Sequence, residues 1–419
     1  MVTDIQLQAM IKQQEQQLFY IARPEHTVLL RHHPDPEFLN YLTARGITLP
    51  QMQFIPPEDE LAEVERVLKS QHFDRIIPYM MTESIQERYH LYTSVYGCDA
   101  GLTKKINDKF FVRTLAEKHG LPITRGYFCN SSEDIEQSYQ KLCEAGFEKC
   151  VIKIPYGSSG KGLRVIDNRE AFEKILKYIT RRQPEFELLI EGWYPVKQCI
   201  NCQLVIDDSG SRVIAFTEQY IDRQGVYKGT NFTPRYAPAV LEKYRYWINR
   251  AGAMLQQMNY RGICGIDSII DMEMNIYPLI EINARFTQVT YLLPLIQDKY
   301  AHYPVVISSY ITIYGCKEMS FPEFLKMMEQ QIHADHTSDF LIYTFCQHRL
   351  PDRAATYRIY VLFFGTDNEQ VKTMVRQFKE MEKSKGNQVG LDGIGSGIEP
   401  NTFCTTRRPS FQFPLIPID

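Results

Sequence analysis

Two short runs constrain this chain most: Gly265-Ile266-Asp267-Ser268-Ile269-Ile270-Asp271 and Leu279-Ile280-Glu281-Ile282-Asn283-Ala284-Arg285. Both are β-type apolar runs that carry acids. A carboxylate in such a run carries a desolvation cost, which a cation partner offsets. Asp271-Met272-Glu273-Met274-Asn275 between them has the composition of a turn, so the runs are expected to pair as an antiparallel hairpin. That pairing brings Asp267, Glu281 and Asn283 together. Two carboxylates and an amide oxygen suit a hard divalent cation such as Mg²⁺ (or Mn²⁺), which keeps its other positions for water and phosphate oxygens. Taken alone, the residues also allow a hairpin with solvated acids at its rim.

The rest of the chain has to supply a nucleotide for such a metal. Its 419 residues are enough for two to four domains, and 44% hydrophobic with 23% charged residues is ordinary for a globular protein. The net charge of -3 argues against a dominant nucleic-acid field. No run reaches membrane-span length, and Met1-Val2-Thr3-Asp4-Ile5 does not open a signal peptide. The ten cysteines are spread singly, as in a reducing cytoplasm. Cys199 and Cys202 lack a second pair at zinc-like spacing, so they read as structural. The expectation is a cytoplasmic protein with no nucleic-acid or membrane partner.

Residues 1–102 alternate strand and helix signals: strands at Thr27 to Leu30, Met52 to Ile55 and Phe73 to Tyr79, with helices at Pro36 to Arg45 and Glu58 to Ser70. That alternation predicts a parallel α/β domain, and no glycine-rich turn follows its first strand. Asn107 is expected to open a helix ending at Gly120. Lys104, Lys105 and Lys109 then lie at its start, where the macrodipole disfavours cations and an anion is expected nearby. A second helix is expected over Glu133 to Ala145. Lys149 to Ile154 is a strand carrying Lys153. Pro155-Tyr156-Gly157-Ser158-Ser159-Gly160-Lys161-Gly162 follows, and then the strand Leu163 to Ile166. Gly162 is followed by leucine and a strand, which excludes a Walker P-loop. A glycine-rich hairpin can still cover phosphates with backbone N–H groups. Further on come a helix at Glu170 to Ile179, a strand ending at Glu191, strands at Cys199 to Asp207 and Val213 to Tyr220, a polar loop at Tyr227 to Asn231, and a long helix at Val240 to Met258. After residue 319 two strands and a helix over Asn368 to Lys383 predict a small α/β appendix, with a glycine-rich loop at Leu391 to Pro400.

The ordered set, from Asn107-Asp108-Lys109 through Lys153, the glycine-rich hairpin and Glu191 to Asp267…Glu281-Ile282-Asn283-Ala284-Arg285, resembles the ATP-grasp ligases over roughly residues 1–318. The resemblance implies an α/β chain with the ATP-grasp fold. Its segments would be an N-terminal α/β domain (1–102), a lobe with the glycine-rich hairpin (103–192), a lobe with the metal hairpin (193–319) and the appendix (320–419). It implies that Lys109 and Lys153 contact ATP phosphates, and that the loop with Gly157, Ser158, Ser159, Gly160 and Gly162 closes over them. It places Glu191 and Tyr194 at an adenine-binding linker. Gln198 and Cys199 stand where many relatives carry a ribose-binding acid. Lys228 lies in a loop able to reach phosphate. Asp267, Glu281 and Asn283 would hold one or two metal ions, and Arg285 would sit beside the transferred phosphate.

The implied chemistry is attack of a substrate carboxylate on the γ-phosphorus of ATP. Repulsion between the two anions is neutralised by the metal, the lysines and the arginine. An amine or a thiol then takes the acyl group. His32-His33 and His333…His336 read as surface or loop histidines. The chain is similar to the carrier-loading ligases of butirosin-type antibiotic biosynthesis. That similarity implies L-glutamate activated at its γ-carboxylate, an acyl carrier protein with a phosphopantetheine thiol (or a carrier-bound amine) as acceptor, and a homodimer as the common assembly. A carrier is usually acidic, so Lys372, Arg376, Lys379 and Arg407-Arg408 are candidates for its docking face. Other classes remain open: a ligase for free small-molecule amines, a kinase acting on a hydroxyl acceptor, and an ATP-binding protein without turnover.

Overall fold

In a computed structural model, the described residues are 10, 12–56, 59–155, 163–182, 186–222, 225–349, 354–386 and 416–417. The glycine-rich segment with Gly157, Ser158, Ser159, Gly160 and Gly162, the loop at 391–400 and Arg407-Arg408 lie outside them. The chain clusters into two compact units. One comprises Met1–Met80, Glu87–Tyr96 and Tyr291–Asp419; the other comprises Met81–Gln86 and Gly97–Thr290. No helix among the described residues is long and apolar enough to cross a membrane.

In the first unit, the strands Thr27–Leu30 and Gln51–Phe54 pair in parallel, and so do Arg75–Ile77 and Ser94–Val95. The helix Pro36–Ala44 between the first two has proline in its first turn and Asp35 as cap, accepting from the Glu37 and Phe38 amides at 2.8 and 3.3 Å. Three long strands follow in the antiparallel order Val305–Lys317, Ala354–Gly365, Ser338–Arg349. Strand pairing runs across the expected boundary at residues 319/320. Val305–Lys317 pairs with Ala354–Gly365 almost along its whole length, so the described strands after residue 319 do not stand apart. They also hold the start of the chain: Gln13 exchanges side-chain bonds with the Gln347 backbone at 2.7 and 2.9 Å. Periodicity reveals a strand but not its partner, which is why this register was not legible.

The second unit is built on two antiparallel sheets. The smaller has the order Gly126–Cys129, Leu188–Gly192, Cys150–Lys153, Leu163–Ile166. The larger runs Ile276–Asn283, Gly262–Asp271, Val196–Asp207, Gly210–Ile221, Tyr227–Asn231. Alternation along Val196–Asp207 divides its side chains between two faces. Ile200, Cys202, Leu204 and Ile206 join the core with Tyr244, Ile248, Ala251 and Leu255 of the helix Pro238–Gln257. Burying each leucine or isoleucine among them contributes about 1.5–3 kcal/mol. Asn201 and Gln203 point to the opposite face, and both are buried.

Two local expectations change in this unit. Tyr227–Asn231 is a strand rather than a polar loop. Its register sets Glu218 opposite Asn231, and its polar residues bond within the sheet (Tyr227 to Thr230, 2.8 Å). The helix expected from Asn107 begins at Lys109, and a separate short helix precedes it. Ala100–Ile106 is capped by Asp99 and Lys109–Lys118 by Asp108. Lys104 and Lys105 therefore lie in a last turn, where the macrodipole favours cations. Lys109 alone sits at a helix start.

Candidate active site

The hairpin of Gly262–Asp271 and Ile276–Asn283 has Asp267 directly opposite Glu281 and Gly265 opposite Asn283. Its turn is fastened by Asp271, which accepts from the Glu273 and Asn275 amides at 3.0 and 2.8 Å, while Met274 takes a left-handed conformation (φ 66°). Asp267 receives amide groups on both oxygens. Asn201 and Gln219 donate to Oδ1 at 2.7 and 2.8 Å, and Asn283 donates to Oδ2 at 3.1 Å. Burial, then the facing Glu281, push the Asp267 carboxyl up to about 6; Asn201, Arg285 and Gln219 partly offset this. This carboxylate is oriented by neutral donors and lacks a full counter-charge.

The orienting amides are themselves held. Gln203 Nε2 donates to Asn201 Oδ1 at 2.7 Å, and Gln203 Oε1 accepts from Thr287 and Thr290 at 3.1 and 2.8 Å. Glycine is required beside this chain: a Cβ on Gly265 would lie 2.9 Å from Gln203 Nε2 and 3.0 Å from Thr287 Cγ2.

Two residues of the segment 107–109 reach the second strand of the hairpin. The Asn107 side-chain oxygen accepts from the Ala284 amide at 3.1 Å and from Arg285 Nη1 at 2.9 Å. Lys109 Nζ lies 2.6 Å from Glu281 Oε1. The Lys109 amide donates to the Pro155 carbonyl at 3.1 Å, immediately before the glycine-rich segment. Lys109, expected at phosphate, is thus placed on one of the carboxylates expected at the metal.

Glu191 is almost fully buried in the smaller sheet, and its carboxylate bonds to Arg113, Lys153 and Thr124 (2.6 Å to the last). Burial pushes this carboxyl up, but Lys153 and Arg113 outweigh burial and hold it below its ordinary value. The side chains expected at the adenine linker and at phosphate, Glu191 and Lys153, are therefore paired with each other. Tyr194 accepts from the Arg125 amide at 3.0 Å, and its ring lies against Phe147 and Tyr277. Gln198 reaches Glu218 at 3.5 Å, and burial pushes the Cys199 thiol up to about 12. Lys228, on the strand Tyr227–Asn231, lies 3.3 Å from Asp222.

Among the described residues no cluster of three or more His, Cys, Asp or Glu side chains offers a metal site. Asp267 and Glu281 with the Asn283 amide fit one hard cation that draws its remaining ligands from water and phosphate. Asp267, pushed up to about 6 by burial and then by the facing Glu281, is a group that such a cation would relieve. Sequence reasoning missed Arg113, Asn201, Gln203, Gln219 and the bond from Asn107 to Arg285. A usable signal existed for two of them: Asn201-Cys202-Gln203 places polar residues at period two inside an otherwise apolar strand.

Residues 108–294 match the family model described as "Carbamoyl-phosphate synthase L chain, ATP binding domain". N5-carboxyaminoimidazole synthetase from Staphylococcus aureus, solved with ADP, aligns with a TM-score of 0.58 at 14% identity, over 88% of this chain and 95% of that one. Biotin carboxylase from Campylobacter jejuni aligns with a TM-score of 0.56 at 12% identity, over 88% of this chain and 89% of that one. Fold and matched domain define an ATP-grasp ligase, an ADP-forming enzyme that binds ATP and activates a carboxylate. The chain is 38% identical over 372 residues to the [butirosin acyl-carrier protein]–L-glutamate ligase of Niallia circulans, covering 88% of this chain and 87% of that protein. It belongs to that ligase family.

Proposed function

We propose that this ligase joins the γ-carboxylate of L-glutamate to the phosphopantetheine thiol of an acyl carrier protein, with Mg²⁺–ATP as the energy source. The single observation that carries the reading is the facing pair Asp267 and Glu281, with Lys109 and Arg285 fixed beside it, in a chain similar to a carrier-protein glutamate ligase. Asp267, Glu281 and Asn283 are the residues to hold Mg²⁺, which when bound supplies charge neutralisation at the phosphates. A carboxylate oxygen of glutamate forms a bond to the γ-phosphorus as the bond to the β,γ-bridging oxygen breaks and ADP leaves. Arg285, oriented by Asn107, faces the negative charge on the transferred group. Lys109 serves the same phosphates once it leaves Glu281. Lys153 is held by Glu191 at the strand end that leads into the glycine-rich segment, and from there it contributes positive potential toward phosphate. The carrier thiol then attacks the acyl carbon; phosphate departs, taking up the thiol proton, and a thioester remains.

The carrier needs a basic landing face, and the helix Asn368–Gly386 offers part of one. Lys372 is 3.1 Å from Glu369, Arg376 donates to Thr373 at 2.7 Å, and Lys379 donates to the Tyr310 carbonyl at 2.7 Å. Lys372 and Arg376 are the two that stay exposed. The test is incubation with holo-carrier, ATP, Mg²⁺ and each amino acid in turn. The reading predicts ADP release and a carrier heavier by one glutamyl group, in a bond cleaved by hydroxylamine. ADP release with a glutamyl amide on a free amine, and an unchanged carrier, would assign the acceptor to small-molecule amines instead.

A further inference from the structure

Lys109 sits where the metal reading has no use for it. Its ammonium is 2.6 Å from Glu281 Oε1, and the two side chains are mostly covered, 14% and 24% exposed. Glu281 faces Asp267 across the hairpin, so this ammonium stands beside the two carboxylates a divalent cation needs. Lys109 is also the first residue of the helix Lys109–Lys118, where the macrodipole gives a cation no support. The helix start is fixed independently, because Asp108 caps it (2.8 Å to the Phe110 amide) and Asn107 holds Ala284 and Arg285. The ammonium can therefore leave Glu281 by turning the lysine side chain alone. Its own amide is tied to Pro155, so the side chain pivots at the foot of the glycine-rich segment.

We propose that Lys109 is a stand-in cation: it occupies Glu281 until a nucleotide phosphate draws it away, so that the site accepts a divalent cation together with nucleotide rather than alone. This rests on the reading of Asp267, Glu281 and Asn283 as metal ligands. The charges set the order. Without nucleotide, Asp267 and Glu281 face Lys109 and Arg285, and a free divalent cation meets a carboxylate whose oxygen already holds an ammonium. A metal–nucleotide complex brings anionic oxygens that give the ammonium a second partner as it vacates Glu281. Metal and nucleotide thus bind with positive coupling carried by one side chain.

The inference predicts opposite signs for two affinities of one variant. Free Mn²⁺ binding, followed by electron paramagnetic resonance without nucleotide, should tighten about tenfold or more in Lys109→Met, because a like charge has left the site. ATP binding to the same variant, measured by calorimetry, should weaken by about tenfold or more, since phosphate loses its ammonium. Lys109→Arg should keep free Mn²⁺ weak. Circular dichroism and melting of Lys109→Met establish that the helix start survives. Unchanged or weaker free Mn²⁺ binding in a folded Lys109→Met overturns the stand-in role. The double variant Lys109→Met with Glu281→Gln separates this from the reading beneath it: tight free Mn²⁺ that survives loss of the Glu281 charge means the cation is held elsewhere, and the metal assignment itself fails.

Discussion

Two buried carboxylates in the same unit have opposite surroundings. Glu191 meets Arg113, Lys153 and Thr124, and the two cations hold it below its ordinary value. Asp267 meets three amide groups and a second carboxylate, and burial with Glu281 pushes it up to about 6. Both are oriented with care, but only one is neutralised. A satisfied charge holds structure together, whereas an oriented and under-neutralised one marks the place where the fold gives up stability for a ligand. Glu191 therefore reads as the pin of the smaller sheet, and Asp267 as the seat of a cation.

The contrast is broken most directly by removing each charge in turn. Asp267→Asn or Glu281→Gln should reduce kcat by about 1,000-fold or more, since metal-borne charge stabilisation supplies several kcal/mol. Asp267→Asn should leave the melting temperature unchanged or raised at neutral pH. Near-normal turnover in Glu281→Gln would remove it from the metal site. Glu191→Gln should behave in the reverse way, losing about 3–5 kcal/mol of stability in denaturant titrations because Arg113 and Lys153 are left buried and unpaired. Equal stability of the two variants would erase the distinction.

Asn107→Ala should lower kcat by about 10- to 100-fold with little change in ATP affinity, because Arg285 loses the acceptor that aims it. The pH dependence sharpens the comparison further, as the signs differ. Asp267 has a raised folded value, so its contribution to stability is present at acid pH and is lost as pH rises through about 6. The stability advantage of Asp267→Asn should accordingly grow between about pH 4 and 6 without metal. Glu191 has a lowered folded value, so its contribution is present at neutral pH and is lost only as pH falls through and below the ordinary carboxylate range. Scanning both variants across pH by calorimetry should give slopes of opposite sign. The smallest effect expected is on the carrier: Lys372→Glu with Arg376→Glu should raise its KM by a few-fold, as for charges at an interface rim, and leave ATP binding unaltered.

The hairpin that carries Asp267 and Glu281 was legible because its evidence is local. Acids in apolar runs and an Asp271-to-Asn275 turn fix the strand pair and set Asp267 against Glu281. The helices and most strands of the second unit were legible for the same reason, as periodicity acts over a few residues. What supports the site was not. Arg113 lies 78 residues from Glu191, and Asn201 lies 66 from Asp267. Nothing in either segment names its distant partner. A short helix, Ala100–Ile106, capped by Asp99, was not expected, and it puts Lys104 and Lys105 at a helix end. The last hundred residues were assigned to an appendix because strand signals do not carry register.

The central claim is that this chain activates a carboxylate by phosphoryl transfer at the Asp267–Glu281 hairpin. The most direct measurement is hydroxylamine trapping with ATP, Mg²⁺ and L-glutamate in the absence of any carrier, with the nucleotide product resolved by chromatography. Glutamyl hydroxamate and ADP should form in equal amounts with the native enzyme, and neither should form with Glu281→Gln. AMP and pyrophosphate as products, or a stable phosphorylated compound with no hydroxamate, would contradict the account.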